Sequence, residues 1–147
     1  MTTVTGDVLP AVLLDRLDGS QSARGTAVPV CTIDAAGFPH PAMLSYAEIR
    51  ADSDRSIRAA VSGTSGTAGN LRERHRLTLM FVDRELTCYV KASVTGLDQP
   101  HPTAPGVVVF PLSVDAVLVD RVDASREPAA VIESGITFRR TAPAPAL

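Results

Sequence analysis

The chain has no tryptophan, and aromatic residues of any kind make up only 4% of its 147 positions. Its interior must therefore be filled by small and β-branched side chains, and alanine, valine, threonine and serine dominate, as suits a tightly packed, β-rich core. Lysine is almost missing: Lys91 is the single lysine among 14 basic residues, and with 16 acidic residues the formal net charge is −2. Such a balance supplies no excess of positive charge for a phosphate backbone, which argues against a nucleic-acid partner. Cysteine is scarce as well. Cys31 and Cys88 lie far apart in apolar stretches, outside any CxxC or Cys/His spacing, so they read as small buried hydrophobes rather than a disulfide or a zinc site. No membrane span is visible, and near the N-terminus the longest apolar run, residues 10–14, is too short for the core of a signal peptide. The expectation is a cytoplasmic protein.

What is present is a succession of short apolar runs separated by turn residues, enough for one domain with a proper core. Residues 1–8 read as loose, and residues 9–17 as a short amphipathic helix with Leu9, Val12, Leu13 and Leu17 on one side and Asp15, Arg16 and Asp18 on the other. Residues 25–33 form a nearly continuous apolar strand, in which Pro29 hints at an edge or a bulge. Asp34-Ala-Ala-Gly37 turns the chain into a second strand over 39–50, and a third covers 56–62. A helix from Ser65 to about Arg74 follows, closed by His75 and Arg76. Strands are expected at 77–82 and 87–97, the latter alternating cleanly between Cys88, Val90, Ala92 and Val94 inside and Tyr89, Lys91 and Ser93 outside. After a proline-rich loop at 98–106, residues 107–122 make one bent strand or two, 125–130 a helical turn, and 131–140 a final strand. The division is an N-terminal helix and link at 1–23, a barrel domain at 24–140 and a disordered tail at 141–147. Six or seven hairpin-connected strands with one or two short helices point to a small antiparallel split β-barrel, mainly β.

The stretch Ser62-Gly-Thr-Ser-Gly-Thr-Ala-Gly-Asn-Leu71 stands out, because hydroxyls and glycines crowd a strand-to-helix turn. Ser65 is a natural N-cap, and bare amides at a helix start favour an anion such as a phosphate. A capped turn without a ligand accounts for the same residues. It is not a P-loop, since no Lys-Ser or Lys-Thr follows the glycines.

In its order of elements the chain resembles the pyridoxamine 5′-phosphate oxidase-like, FMN-binding split-barrel family. The resemblance rests on the hairpin Ala27-Val-Pro-Val-Cys-Thr-Ile-Asp-Ala-Ala-Gly-Phe-Pro-His40, on Ser65-Gly-Thr-Ala-Gly-Asn-Leu71, and on Arg76-Leu-Thr-Leu-Met-Phe-Val82; it is strongest over residues 24–97. It implies a homodimer with flavin at the interface, the ring lined by Met43, Leu44, Ser45 and Tyr46, and the phosphate held at or near Ser62, Thr64, Ser65, Thr67 and Asn70. Lys91, beside Tyr89 on the outer face of its strand, is a further cofactor candidate. Flavin-binding members usually place Arg and Lys in the helix where this chain has Gly66 and Thr67. Losing two charge-assisted bonds of roughly 1.5–3 kcal/mol each would weaken a phosphate's hold by orders of magnitude. Three outcomes follow: FMN held weakly, a deazaflavin such as F420, or no cofactor at all. An FMN- or F420-dependent oxidoreductase is one reading; the alternative is a non-catalytic split-barrel binding protein that has lost FMN or holds another small ligand such as F420. The resemblance brings His40 near the cofactor, though a surface turn histidine accounts for it equally; Arg139 and Arg140 could reach a partner's anionic ligand, but a solvated terminal pair is the simpler reading. No nucleophile triad, metal cluster or close carboxylate pair is evident.

Overall fold

The computed structural model describes residues 2–120 and 130–147. Its strands are β1 (Thr2–Gly6), β2 (Ala27–Ile33), β3 (Pro39–Ser45), β4 (Ile49–Ser53), β5 (Ser56–Ser62), β6 (Arg76–Val82), β7 (Thr87–Val94), β8 (Gln99–Pro100) and β9 (Val107–Asp120). Helices α1 (Ala11–Arg16) and α2 (Gly66–Arg74) and a 3-10 turn at Tyr46–Glu48 complete the described elements. All strand pairings are antiparallel, in the order β3-β2-β6-β7-β9-β5-β4, with β1 and β8 added on β9.

That order makes the sheet curl. β3 and β4 stand at opposite ends of it, yet only Tyr46–Glu48 separates them along the chain. The two edges must therefore come together, which closes the sheet into a split barrel. The turn that joins them is a reciprocal capping box: Ser45 Oγ accepts from the Ala47 N–H at 3.3 Å, and Glu48 Oε2 accepts from the Ser45 N–H at 3.2 Å. The single strand expected over 39–50 is thus two strands, because Ser45-x-x-Glu48 supplies local bonds that compete with the ladder. Ser45, Tyr46 and Ala47 are consecutively buried, and the alternation stops there.

Elsewhere the alternation holds. On β7, Cys88, Val90 and Ala92 are fully buried while Lys91 is exposed. Burial pushes the Cys88 thiol up to about 11, so it behaves as an inert core group. Pro29 is interior to the sheet, but β6 pairs with β2 only at Val30 and Cys31, so the missing proline N–H breaks no bond to that neighbour. β9 is one strand with a register shift at Asp115; it pairs with β7 along one side and with β5 and then β1 along the other.

Three expectations are corrected. The first residues form β1 against the far end of β9 instead of lying loose. On α1, Leu13 and Leu17 enter the core as expected, but Val12 is exposed and Arg16 is buried. Arg16 turns inward because Asp83 and Tyr46 wait there, with Tyr46 packed on Phe81 at 5.8 Å between ring centres. Residues 131–140 form no strand; the segment touches the sheet at one bridge, Thr26 with Thr137, flanked by Ala27 N–H to Ile136 at 2.7 Å and Phe138 N–H to Gly25 at 2.9 Å. The helical turn expected at 125–130 falls, but for its last residue, outside the described residues.

Candidate functional site

Helix α2 begins where β5 ends, and the turn between them is held by its own hydroxyls. Ser65 Oγ donates to the Ser62 carbonyl at 2.7 Å and accepts from the Ala68 N–H at 3.1 Å, while the Ser65 N–H donates to the Ser62 carbonyl at 3.1 Å. Ser62 and Thr64 hydroxyls stand 3.4 Å apart. Gly66 lies close under the His40 ring: a Cβ there would stand 3.0 Å from it, so the ring, which covers the helix start, would have to give way slightly. The ring thus occupies space that a larger side chain at 66 would need. At the other end His75 adopts the left-handed conformation, φ 64°, and its N–H donates to the Leu71 carbonyl at 3.1 Å. Ala68 and Leu71 fasten the helix into the core.

The start of α2 opens onto a cavity of about 560 Å3. Ala42, Met43 and Leu44 of β3 and Ala60 and Val61 of β5 give it apolar walls; Ser62, Ser65, Thr67 and His101 give it a polar part; Glu48 and Arg140 bring charge; and Ala142–Pro145 of the final segment run along one side. Its volume falls in the usual range for a cofactor-sized ligand, roughly 300–1,000 Å3. Arg140 donates to Ser45 Oγ at 2.5 Å, lies 3.8 Å from Glu48, and stacks on Phe138 at 5.0 Å. Burial raises the Glu48 carboxyl above its ordinary value, opposed by its bonds from Ser45 and by the Arg140 charge. The last described residue is tied back as well, with the Leu147 N–H donating to the Ala47 carbonyl at 3.1 Å and Arg50 bonded to the Leu147 carbonyl.

Of the residues expected to hold a cofactor, Met43, Leu44, Ser62, Ser65 and Thr67 line this one cavity. Ser45 sits behind it, bonded to Arg140. Thr64 is exposed beside Ser62. Asn70 is buried and faces Thr32 and Arg74. Tyr46 points into the core, where its hydroxyl accepts from Arg16 at 3.3 Å. Lys91 does not line this cavity; it lies in a separate hollow of about 480 Å3 with Cys31, Arg76 and Asp115. Glu48 and His101 are not foreseen as site residues from the sequence, and Arg140, expected at most to reach a partner's ligand, lines the cavity of its own chain. Ser45-x-x-Glu48 was the visible signal for the first; nothing local marked the other two.

No family model matches the chain, and no curated protein matches it in sequence. Solved structures do. A proposed pyridoxamine 5′-phosphate oxidase of Lactobacillus delbrueckii superposes with a TM-score of 0.63 at 14% identity, over 80% of this chain and 98% of that one. The chain has the split-barrel fold of the pyridoxamine 5′-phosphate oxidase-like proteins. The split barrel is shared with an FMN-binding protein of Syntrophomonas wolfei, TM-score 0.57 at 16% identity over 76% and 89% of the two chains. It is shared too with an F420 reductase, TM-score 0.51 at 12% identity over 67% and 93%.

Proposed function

We propose that the chain binds a flavin-type cofactor, FMN or the deazaflavin F420, in the 560 Å3 cavity, and works as a homodimeric oxidoreductase. The observation that carries this reading is the convergence of Met43 and Leu44, from one strand, with Ser62, Ser65 and Thr67, from the turn after another, on one cavity. The residues fit such a ligand: an apolar slot for a planar ring, and hydroxyls with the free amides of a nine-residue helix for a phosphate. Split-barrel neighbours that bind FMN or act on F420 support the same assignment. When bound, the cofactor supplies hydride or electron transfer; the chain's share is to bind, orient and exclude water.

Met43, 59% exposed at the cavity, and the side formed by residues 142–145 leave room for a second copy to complete the enclosure. The second reading, a non-catalytic barrel, is favoured by one observation: Arg140 is the single lysine or arginine among the described residues lining the cavity, and Glu48 already partners it. Titration of the purified protein with FMN and with F420, followed by absorption and fluorescence, tests the proposal. Saturable quenching with a shifted flavin spectrum is expected for one of them; flat titrations with both would leave the non-catalytic reading.

A further inference from the structure

His101 has its place fixed by the strands around it. Its N–H donates to the Val107 carbonyl at 2.8 Å, and β9 in turn pairs Val107 with Ser62. The neighbouring Gly63 N–H reaches across to the Gly106 carbonyl at 2.8 Å, so the loop before β9 and the turn before α2 are bound together. His101, Val107 and Ser62 line the same cavity.

The ring itself is held in one orientation. Its Nδ1 accepts from the backbone N–H groups of Thr103 and Ala104, each at 3.0 Å. A nitrogen that receives two N–H donors is an acceptor, so in the neutral ring the proton sits on Nε2. The residue as a whole is only 8% exposed, and among the described residues Nε2 has no partner. Because Nδ1 turns toward its own loop, the Nε2 edge is the one presented to the cavity. Held in this orientation at the cavity wall, with no partner among the described residues, that N–H is available to an oxygen of a ligand.

We infer that His101 determines specificity at this site by donating its Nε2–H to an oxygen of a ligand phosphate monoester, alongside the Ser62 hydroxyl and the start of α2. The inference rests on the cofactor reading above and deepens it. The phosphate end is favoured over the ring end because His101 is joined through Val107 to the hydroxyl-rich turn, whereas the β3 wall is apolar. A donor oriented this way does part of what a lysine or arginine at 66 or 67 would do, without the charge.

His101→Asn separates the ring's two jobs. The asparagine oxygen stands where Nδ1 stood and still accepts from Thr103 and Ala104, while the Nε2–H is deleted. The variant and the parent are titrated with FMN and with riboflavin, which lacks the phosphate. Nuclear magnetic resonance of the 15N-labelled parent then follows the His101 ring as inorganic phosphate is added. The expected result is about tenfold weaker FMN binding in the variant, riboflavin unchanged, and a His101 Nε2–H signal that moves with phosphate. Equal losses for both flavins, or no loss for either, overturn the inference and leave the cofactor reading standing. A parent that binds neither flavin nor F420, yet shifts its His101 signal with phosphate, sinks the cofactor reading and keeps the phosphate donor. A signal that phosphate leaves unmoved overturns the inference even if the variant fails to fold.

Discussion

The Asn70 side-chain amide donates to the Thr32 hydroxyl at 3.0 Å, which fastens α2 to β2 instead of reaching the cavity. Arg74 completes the fastening by donating to the Asn70 carbonyl oxygen at 2.8 Å and to the Ile33 carbonyl at 2.6 Å. Thr32 is itself buried, so removing Asn70 strands its hydroxyl. Asn70→Ala is expected to cost about 1–3 kcal/mol of stability while changing flavin affinity by less than about twofold. Urea unfolding and flavin titration of one preparation check both halves. Lost affinity at unchanged stability would place Asn70 in the cofactor site after all.

Arg16 and Asp83 form a buried pair near the N-terminal helix, extended by Arg24 at 3.1 Å from Asp83 and Glu85 at 2.8 Å from Arg16. Burial alone would raise the Asp83 carboxyl, but the Arg16 bond and the N–H groups of Glu85 and Leu86 outweigh it and hold it below the ordinary 3.8. A carboxyl whose folded value is depressed contributes fully above its unfolded value and loses that contribution as pH falls through the folded one. Stability should therefore drop on acidification below about pH 4. Asp83→Asn should flatten that drop, and at neutral pH should cost toward the lower end of about 3–5 kcal/mol, since Glu85 still reaches Arg16. Unfolding curves at a series of pH values measure both, and an unchanged acid limb would refute the assignment.

These two clusters mark what could and could not be seen in the residues alone. Strands such as β7 announce themselves because one face is core and the other is not, so the period of two is written into Cys88, Val90 and Ala92. The capped helix after β5 is equally local, since Ser65 bonds within its own turn. Arg16 misleads because its partner is 67 residues away, and a buried arginine on an amphipathic helix looks like a solvated one until that partner is known. Residues 131–140 carry β-type composition, yet only the bridge at Thr137 joins the sheet. His101 is invisible for the same reason: its role depends on a pairing of Val107 with Ser62 that no local pattern encodes.

The turn before α2 should answer to two substitutions in opposite ways. Ser65→Ala removes a cap that both donates and accepts, and should cost about 1 kcal/mol of stability. Thr67 is 3% exposed yet lines the cavity, so a longer side chain there extends into the ligand space. Thr67→Lys should tighten FMN about tenfold by adding a charge-assisted bond. Adding Gly66→Arg should gain little, because its Cβ presses on the His40 ring. Urea unfolding checks Ser65→Ala and fluorescence titration the two lysine-bearing variants; FMN bound no better by Thr67→Lys than by the parent would count against a phosphate at this turn.

Arg140 tests the opposite part of the cavity. It faces Ser45 and Glu48, next to Met43 and Leu44 on β3, so its charge lies on the ring side rather than the phosphate side of the proposed ligand. Arg140→Ala leaves the Glu48 carboxylate without its cation in a place where burial already opposes its charge. The single variant should lose about 1 kcal/mol of stability and bind FMN and riboflavin about equally less well. Glu48→Gln on top of it removes the stranded charge and should restore most of the stability. It should not restore flavin binding, because the missing group is the cation. The double-mutant cycle separates the two effects by thermal unfolding and titration. If the double variant binds flavin as the parent does, Arg140 serves only to neutralise Glu48 and has no direct part in holding the ring.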